Sequence, residues 1–377
     1  MRLFSLGLTS TLVLLDATTA AADTLFVSPS GSDSAAGSQD EPLRTVQHAV
    51  AIAEEGSTIN VLPGVYSVLP SVTKPGLSVV AYPESDDAAE THAFTGLNKY
   101  PSNFFTVSAN ETVVRGFTFK QSQGYASIYG LLYVSRFGEV TIENCAFTDN
   151  AVGVSVLAGS VHLDSCQFDL STSTSTNSSG TGISLMYADV GGGGGTVDVH
   201  NCSFTGPDGR GTAVNVRDGP AQVNVTASKF EDVFSVLSSG YVSRPITAAV
   251  SGSTVKNVIQ SFNLYGMQKS KASVDITDCH FNGGGRDDID GAAVEIGDDV
   301  TVTIERSSFA NMQGKEGAVL HCGAHATLSV IDSDFTDNTA KVASPGWCSK
   351  DCGFVGSGNT GQGNTAGDDE GECKGLL

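Results

Sequence analysis

The chain carries little charge, and most of what it carries is of one sign. Charged residues make up 16% of 377, with 20 Lys and Arg against 41 Asp and Glu, a formal net charge of −21. Such a surface repels nucleic acid and anionic membranes, which argues against both as partners. An acidic polysaccharide would be repelled as well, unless a cation such as calcium bridged the two. Long hydrophobic runs are also missing. The one compact apolar stretch, Leu3–Leu15, follows Arg2 and precedes the small residues Ala17–Ala22. It is too short to span a bilayer and reads as a secretory signal over residues 1–22, cleaved before Asp23. The final GDDEGECKGLL has no hydrophobic tail of the lipid-anchor kind. The expectation is a secreted, extracellular protein without a membrane span, and a monomer.

What is abundant is glycine, 44 residues, and a short pattern that keeps returning. It reads VTIENCAF at Val140–Phe147, VHLDSCQF at Val161–Phe168, VDVHNCSF at Val197–Phe204 and VNVTASKF at Val223–Phe230. Further copies end at Val255, Phe281, Phe309 and Phe335, and a degenerate one ends at Phe119. Successive ends lie 28, 21, 36, 26, 25, 26, 28 and 26 residues apart. Self-similarity at this period implies a stacked array in which each unit buries its apolar face against its neighbours.

Within a unit, apolar residues sit seven and five places before the final Phe with polar residues between, the period of a half-buried strand. Three places before it come Asn144, Ser165, Asn201, Ala227, Gly252, Asp278, Arg306 and Asp332. Several of these types tolerate the left-handed backbone of a one-residue corner. Two places before it, in these eight units, the side chain is Cys or Ser. Shorter strands precede most units, for example Thr212–Val216 and Ala292–Ile296. The expected fold is all-β, a right-handed parallel β-helix of about ten coils.

Residues 25–66 carry FVSPSGSDS, Gly37, Pro42, Thr45-Val46-Gln47, Gly56 and Pro63-Gly64-Val65-Tyr66. This segment resembles the N-terminal module of secreted β-helix proteins of the pectin lyase-like superfamily. Within it, Leu43–Glu54 reads as a helix whose apolar face (Leu43, Val46, Val50, Ala53) plugs the open end of the core. The repeats also resemble those of polymorphic outer-membrane proteins, with FxxN at Phe147–Asn150 and Phe335–Asn338 and GGA[ILV]-like segments at Gly291–Val294 and Gly317–Val319. The β-helix with its N-terminal cap is expected over 23–340 and a Cys/Gly-rich cap over 341–377.

The eight Cys suit an oxidising compartment. Cys322, Cys348, Cys352 and Cys373 are expected to form two disulfides that staple the C-terminal cap, with a zinc site as the rival reading. Cys145 and Cys166 occupy one inward rung on adjacent coils. They read either as a disulfide or as small buried fillers like the Ser at equivalent rungs. Sequons stand at Asn110, Asn177, Asn201 and Asn224.

Stacking the outward rungs sets His162 beside Asp198 and Asp164 beside His200, with Glu143 and Arg115 above. Imidazoles and carboxylates so placed can bind a divalent cation or exchange protons, or they form an exposed cross-strand charge ladder. Asp287, Asp288 and Asp290 in GGGRDDIDG offer the oxygen ligands calcium prefers. The row that bears catalytic groups in the superfamily's lyases corresponds roughly to Ser155, Ser184, Asn215, Asn263 and Glu295, a bland face. Galacturonase and pectinesterase signatures are absent. The reading is a non-catalytic protein that binds extracellular polysaccharide or a surface protein, adhesin-like or matrix-associated. Its competitor is a polysaccharide lyase or glycoside hydrolase acting on uronic-acid polysaccharide.

Overall fold

The computed structural model describes residues 23–84, 91–96, 105–121, 130–171, 180–186, 194–207, 209–217, 219–242, 244–266, 271–368 and 370–377. The expected signal segment and the sequon at Asn177 lie outside these residues. Among the described residues no helix is long and apolar enough to cross a membrane.

The chain winds into a right-handed parallel β-helix of about ten turns. Its three long sheets contain thirteen, twelve and eleven strands, with a further three-stranded sheet near the C-terminus. One coil illustrates the course. Strand Val152–Leu157 belongs to the eleven-stranded sheet, Ser160–Asp164 to the thirteen-stranded and Gln167–Asp169 to the twelve-stranded. Neighbouring strands of the long sheets pair in parallel and bring equivalent repeat positions together, for example Val161 with Val197 and Phe168 with Phe204.

The last residue of each repeat points into the core. Rings of Phe119, Phe147, Phe168, Phe204 and Phe230 stack at 5.1, 4.6, 4.6 and 5.1 Å. Phe281, Phe309 and Phe335 continue at 4.7 and 5.2 Å, beyond the smaller Val255. All eight corner positions take positive φ, from 48° at Arg306 and Asp332 to 55° at Ser165 and Gly252. That conformation is strained for Arg and Ala, so the register of the neighbouring strands, and not residue preference, imposes it there.

The Cys/Ser rung does more than fill space. The Cys202 N–H donates to Ser228 Oγ (3.1 Å), Ser228 N–H to Ser253 Oγ (3.1 Å), and Ser307 N–H to Ser333 Oγ (3.2 Å). Each hydroxyl in turn donates to the carbonyl two residues earlier, as Ser228 does to Thr226 (2.9 Å). The rung is therefore a buried hydrogen-bond ladder that satisfies the N–H groups just after the corners. Cys145 and Cys166 belong to it as free thiols, which corrects the disulfide alternative for that pair. Parallel stacking holds successive rungs about 4.8 Å apart, whereas a disulfide requires Cβ atoms about 3.8 Å apart. The FxxN asparagines act in an analogous way. Asn150 Nδ2 donates to the Phe119 carbonyl (2.7 Å) and Asn338 Nδ2 to that of Phe309 (3.1 Å).

Both ends of the core are closed. At the start, the helix spans Val46–Ile52 and buries Val46, Ala49 and Val50. It is shorter than the periodicity suggests because Leu43 instead bridges Val27 in the sheet and Ala53 leaves helical geometry. Thr45 caps it by accepting from the His48 N–H, and Asp33 accepts from the Arg44 and Thr45 N–H groups. At the other end, strands Gly346–Cys348, Gly353–Ser357 and Thr360–Gln362 add one more rung to each long sheet. Disulfides Cys322–Cys352 and Cys348–Cys373 staple this last coil, and Cys373 and Leu376 are buried against the core.

Candidate functional site

The outward patch on the thirteen-stranded sheet has the expected register: Glu143 lies between Arg115 and Asp164, His162 pairs with Asp198, and Asp164 with His200. Most of its side chains, however, are engaged by neighbours along the strands. Arg115 bridges Glu143 at 2.9 Å and Glu84 at 3.2 Å. Asp198 accepts from Asn224 (2.6 Å), Asp164 from the Ser165 hydroxyl (2.9 Å), and His200 Nδ1 pairs with the Thr226 hydroxyl (2.9 Å). These contacts describe a charge and hydrogen-bond ladder along the strands. The group is not among the described side-chain clusters whose ligand atoms lie close enough to share a metal ion.

The acidic loop disperses in the same way. Asp288 forms a bidentate pair with Arg286 (2.9 and 2.6 Å), and Asp287 approaches Lys341 at 3.3 Å. Asp290 turns away to accept from the Glu316 N–H (3.1 Å). The three carboxylates thus have separate partners, and only Asp290 joins a cluster whose atoms could share an ion. Of the sequons, Asn110 and Asn201 are exposed, the Asn201 amide donating to the Ser165 hydroxyl (3.0 Å), and the amide of Asn224 is held by Asp198. Cys322, Cys348 and Cys352 lie close enough to suggest a metal, but they are consumed by the two disulfides.

The richest chemistry lies on the face read as bland. Along the eleven-stranded sheet, the row through Ser155, Ser184 and Asn215 continues through Ser238 and Asn263 to Glu295, His321 and Trp347. Ser155 and Ser184 are fully buried, and beyond them toward the C-terminal end the row is partly exposed from Asn215 onward. There the Glu295 carboxylate accepts from the Tyr265 hydroxyl on one oxygen and from Gln260 Nε2 on the other, with Asn263 Nδ2 3.4 Å from the latter. Burial pushes the Glu295 carboxyl above its ordinary pKa, outweighing the hydrogen bond from Tyr265 and the attraction of His321.

On the next two coils the imidazole of His321 lies flat on the indole of Trp347, centroids 4.6 Å apart. His321 Nε2 stands 3.7 Å from Glu316 Oε2, and Lys315 Nζ stands 3.5 Å from both Asp290 and Glu316. Those carboxylates hold the Lys315 ammonium above its ordinary pKa, which makes it a poor base. Glu316 and Trp347 also line a cleft of about 940 Å³, together with Lys350, Phe354, Glu370 and Lys374. The arrangement combines an aromatic surface, a proton-retaining carboxyl and several fixed hydrogen-bonding groups, the composition of a small polar-ligand site.

The sequence reading of this row ends at Glu295 and does not include His321 and Trp347. The signal was present. Aligning Gly291–Glu295 with Gly317–His321 places Glu295 over His321, and the next coil then offers Trp347.

A family model described as "Protein of unknown function (DUF1565)" matches residues 29–292. No curated protein matches the sequence. Among solved structures the chain is similar to PfbA, a surface adhesin of Streptococcus pneumoniae, at 13% identity and a TM-score of 0.57, covering 85% of this chain and 87% of that one. It also aligns with the catalytic domain of a GH87 α-1,3-glucanase (9% identity, 93% and 68% covered, TM-score 0.48). A third alignment is with the alginate lyase AlyF-OU02 (12% identity, 92% and 86% covered, TM-score 0.43). The first of these likenesses supports the parallel β-helix fold. Neither the family match nor these structures support the resemblance of the repeats to polymorphic outer-membrane proteins.

Proposed function

The chain belongs to the DUF1565 family of proteins of unknown function, and we propose from its own side chains that it is a secreted β-helix protein that binds extracellular glycans. Binding occurs at the C-terminal end of the eleven-stranded sheet, along Glu295, His321 and Trp347 and into the adjoining cleft. The observation that carries this reading is Trp347, the sole tryptophan of the chain. Its ring is fixed by His321, packs close to the Gly371 backbone and remains partly exposed on the wall of the cleft. An aromatic surface packs against the apolar C–H face of a sugar ring, while carboxyl, amide and hydroxyl groups beside it take the sugar hydroxyls. A surface adhesin built on the same fold is compatible with this role.

A second reading is favoured by one specific observation. The half-buried Glu295 retains its proton to higher pH than a free carboxyl, as a general acid for glycosidic cleavage must. A lyase is less well supported, because Lys315, the basic group beside the acidic pair, is held charged. The test is a glycan array probed with the protein, followed by assays for reducing ends and for new absorbance at about 235 nm on any bound polysaccharide. Binding without turnover supports the first reading, turnover the second, and absence of any bound glycan contradicts both.

A further inference from the structure

We propose that Asp290, Glu316 and His321 form a site for a borderline divalent transition-metal ion of the zinc kind. Three observations converge on it. First, one ligand atom from each side chain can be chosen so that all three lie within 4.8 Å of one another. Ligands about 2.1 Å from a tetrahedral ion stand about 3.4 Å apart. The 3.7 Å between Glu316 Oε2 and His321 Nε2 is near that already, and small rotations bring in the rest.

Second, the His321 imidazole lacks the partner its burial calls for. Its side chain is only 16% exposed, its Nδ1 is buried with no hydrogen-bond partner among the described residues, and its Nε2 contact at 3.7 Å is too long for a hydrogen bond. A buried imidazole without a polar partner is costly. A cation placed between Nε2 and the carboxylates gives the ring a polar partner at Nε2, the nitrogen that faces Glu316, and leaves Nδ1 as it is.

Third, the scaffold fixes the ligands on two adjacent coils. Glu316 ends strand Gln313–Glu316, and His321 sits in strand Leu320–Cys322 with its ring plane set by Trp347. Asp290, one coil earlier, is anchored by the Glu316 N–H. Lys315 now balances the two carboxylates, and its half-exposed side chain can swing into solvent when an ion enters. A mixed set of two carboxylates and one imidazole selects zinc-class ions over calcium and leaves a coordination position open.

The site reports on itself, because the only Trp of the chain stacks on the proposed ligand. Titrating the metal-free protein with Co²⁺, without glycan, should quench Trp347 fluorescence saturably, and Zn²⁺ should reverse the quench by competition. Calorimetry with Zn²⁺ alone should give one site per chain. D290N and H321Q should each weaken Zn²⁺ binding by more than about tenfold, whereas K315A, which removes the competing charge, should tighten it. Absence of saturable Zn²⁺ binding in calorimetry would overturn the proposal. So would binding that D290N and H321Q leave unchanged, provided their far-ultraviolet spectra match the parent. Because no glycan is present, failure here leaves the glycan-binding reading to its own test.

Discussion

The imidazole of His321 and the indole of Trp347, 26 residues apart in sequence, lie parallel to within 7° on adjacent coils. Their strands pair in register, so the stack is a direct consequence of the coil length. The same rule that stacks Phe residues inside the helix stacks functional side chains outside it. What distinguishes the two is solvent: inside, identical rings repeat, whereas outside each rung is free to differ.

The inner stack sets a first expectation. Phe168 is sandwiched between Phe147 and Phe204, each centroid 4.6 Å away. Phe168→Ala should destabilise the protein by about 3–5 kcal/mol, through lost burial and a cavity the rigid coils cannot close. Urea denaturation followed by circular dichroism measures it, and a loss below about 1 kcal/mol would show the core to be far more plastic than described.

The corner ladder sets a second. Ser228→Ala leaves the buried Cys202 N–H without its acceptor, a cost of about 1–3 kcal/mol. Ser228→Cys should be tolerated much better, because Cys202 and Cys279 fill the same rung by donating to the carbonyl two residues earlier. If both substitutions cost the same, the hydrogen bond is not what holds the corner.

Free thiols give a third. Burial pushes the Cys145 thiol up to about 12, and those of Cys166 and Cys279 are raised for the same reason. Cys202 is lowered by the hydrogen bond it shares with Cys166, but its side chain is buried as well. The native protein should therefore resist alkylation by iodoacetamide at all four, and the unfolded protein should not. Mass spectrometry of native and denatured samples reads this directly. Rapid labelling of Cys145 in the native state would contradict the packed ladder.

Much of this was legible in the sequence, because an uninterrupted strand-corner-strand unit leaves no room for slippage. The pairing of His162 with Asp198 follows from counting back from Phe168 and Phe204, and the positive φ of Asn144 and Asp278 from their residue type. Partner choice was less legible. Register brings His162 opposite Asp198, but Asn224 on the following coil takes the Asp198 carboxylate. The Glu295–His321–Trp347 row was missed for a related reason. Its short strands are joined to the repeat by loops of varying length, so a count from the Phe does not reach them reliably. Alignment of the local Gly-Ala segments does.

The pH dependence of stability gives a fourth expectation. Burial holds the Glu295 pKa above that of the unfolded chain. The protonated form is thus favoured by folding, and this contribution is complete below the unfolded pKa and lost as pH rises through the folded one. Glu295→Gln, which stays neutral, should remove that loss. Relative to the parent it should be more stable at about pH 8 than at about pH 4. A stability difference that does not change with pH would mean that Glu295 titrates as a free carboxyl.

Whether the outward row ending at Trp347 is a glycan-binding surface can be read from the fluorescence of the single Trp. Oligosaccharides identified on an array are titrated into the parent protein and into Glu295→Ala. A saturable change is expected in the parent, with binding at least about tenfold weaker in the variant, the loss of roughly one buried hydrogen bond. Array-positive oligosaccharides that leave Trp347 fluorescence unchanged at saturation, or that bind both proteins equally, would contradict the assignment of this row to glycan binding.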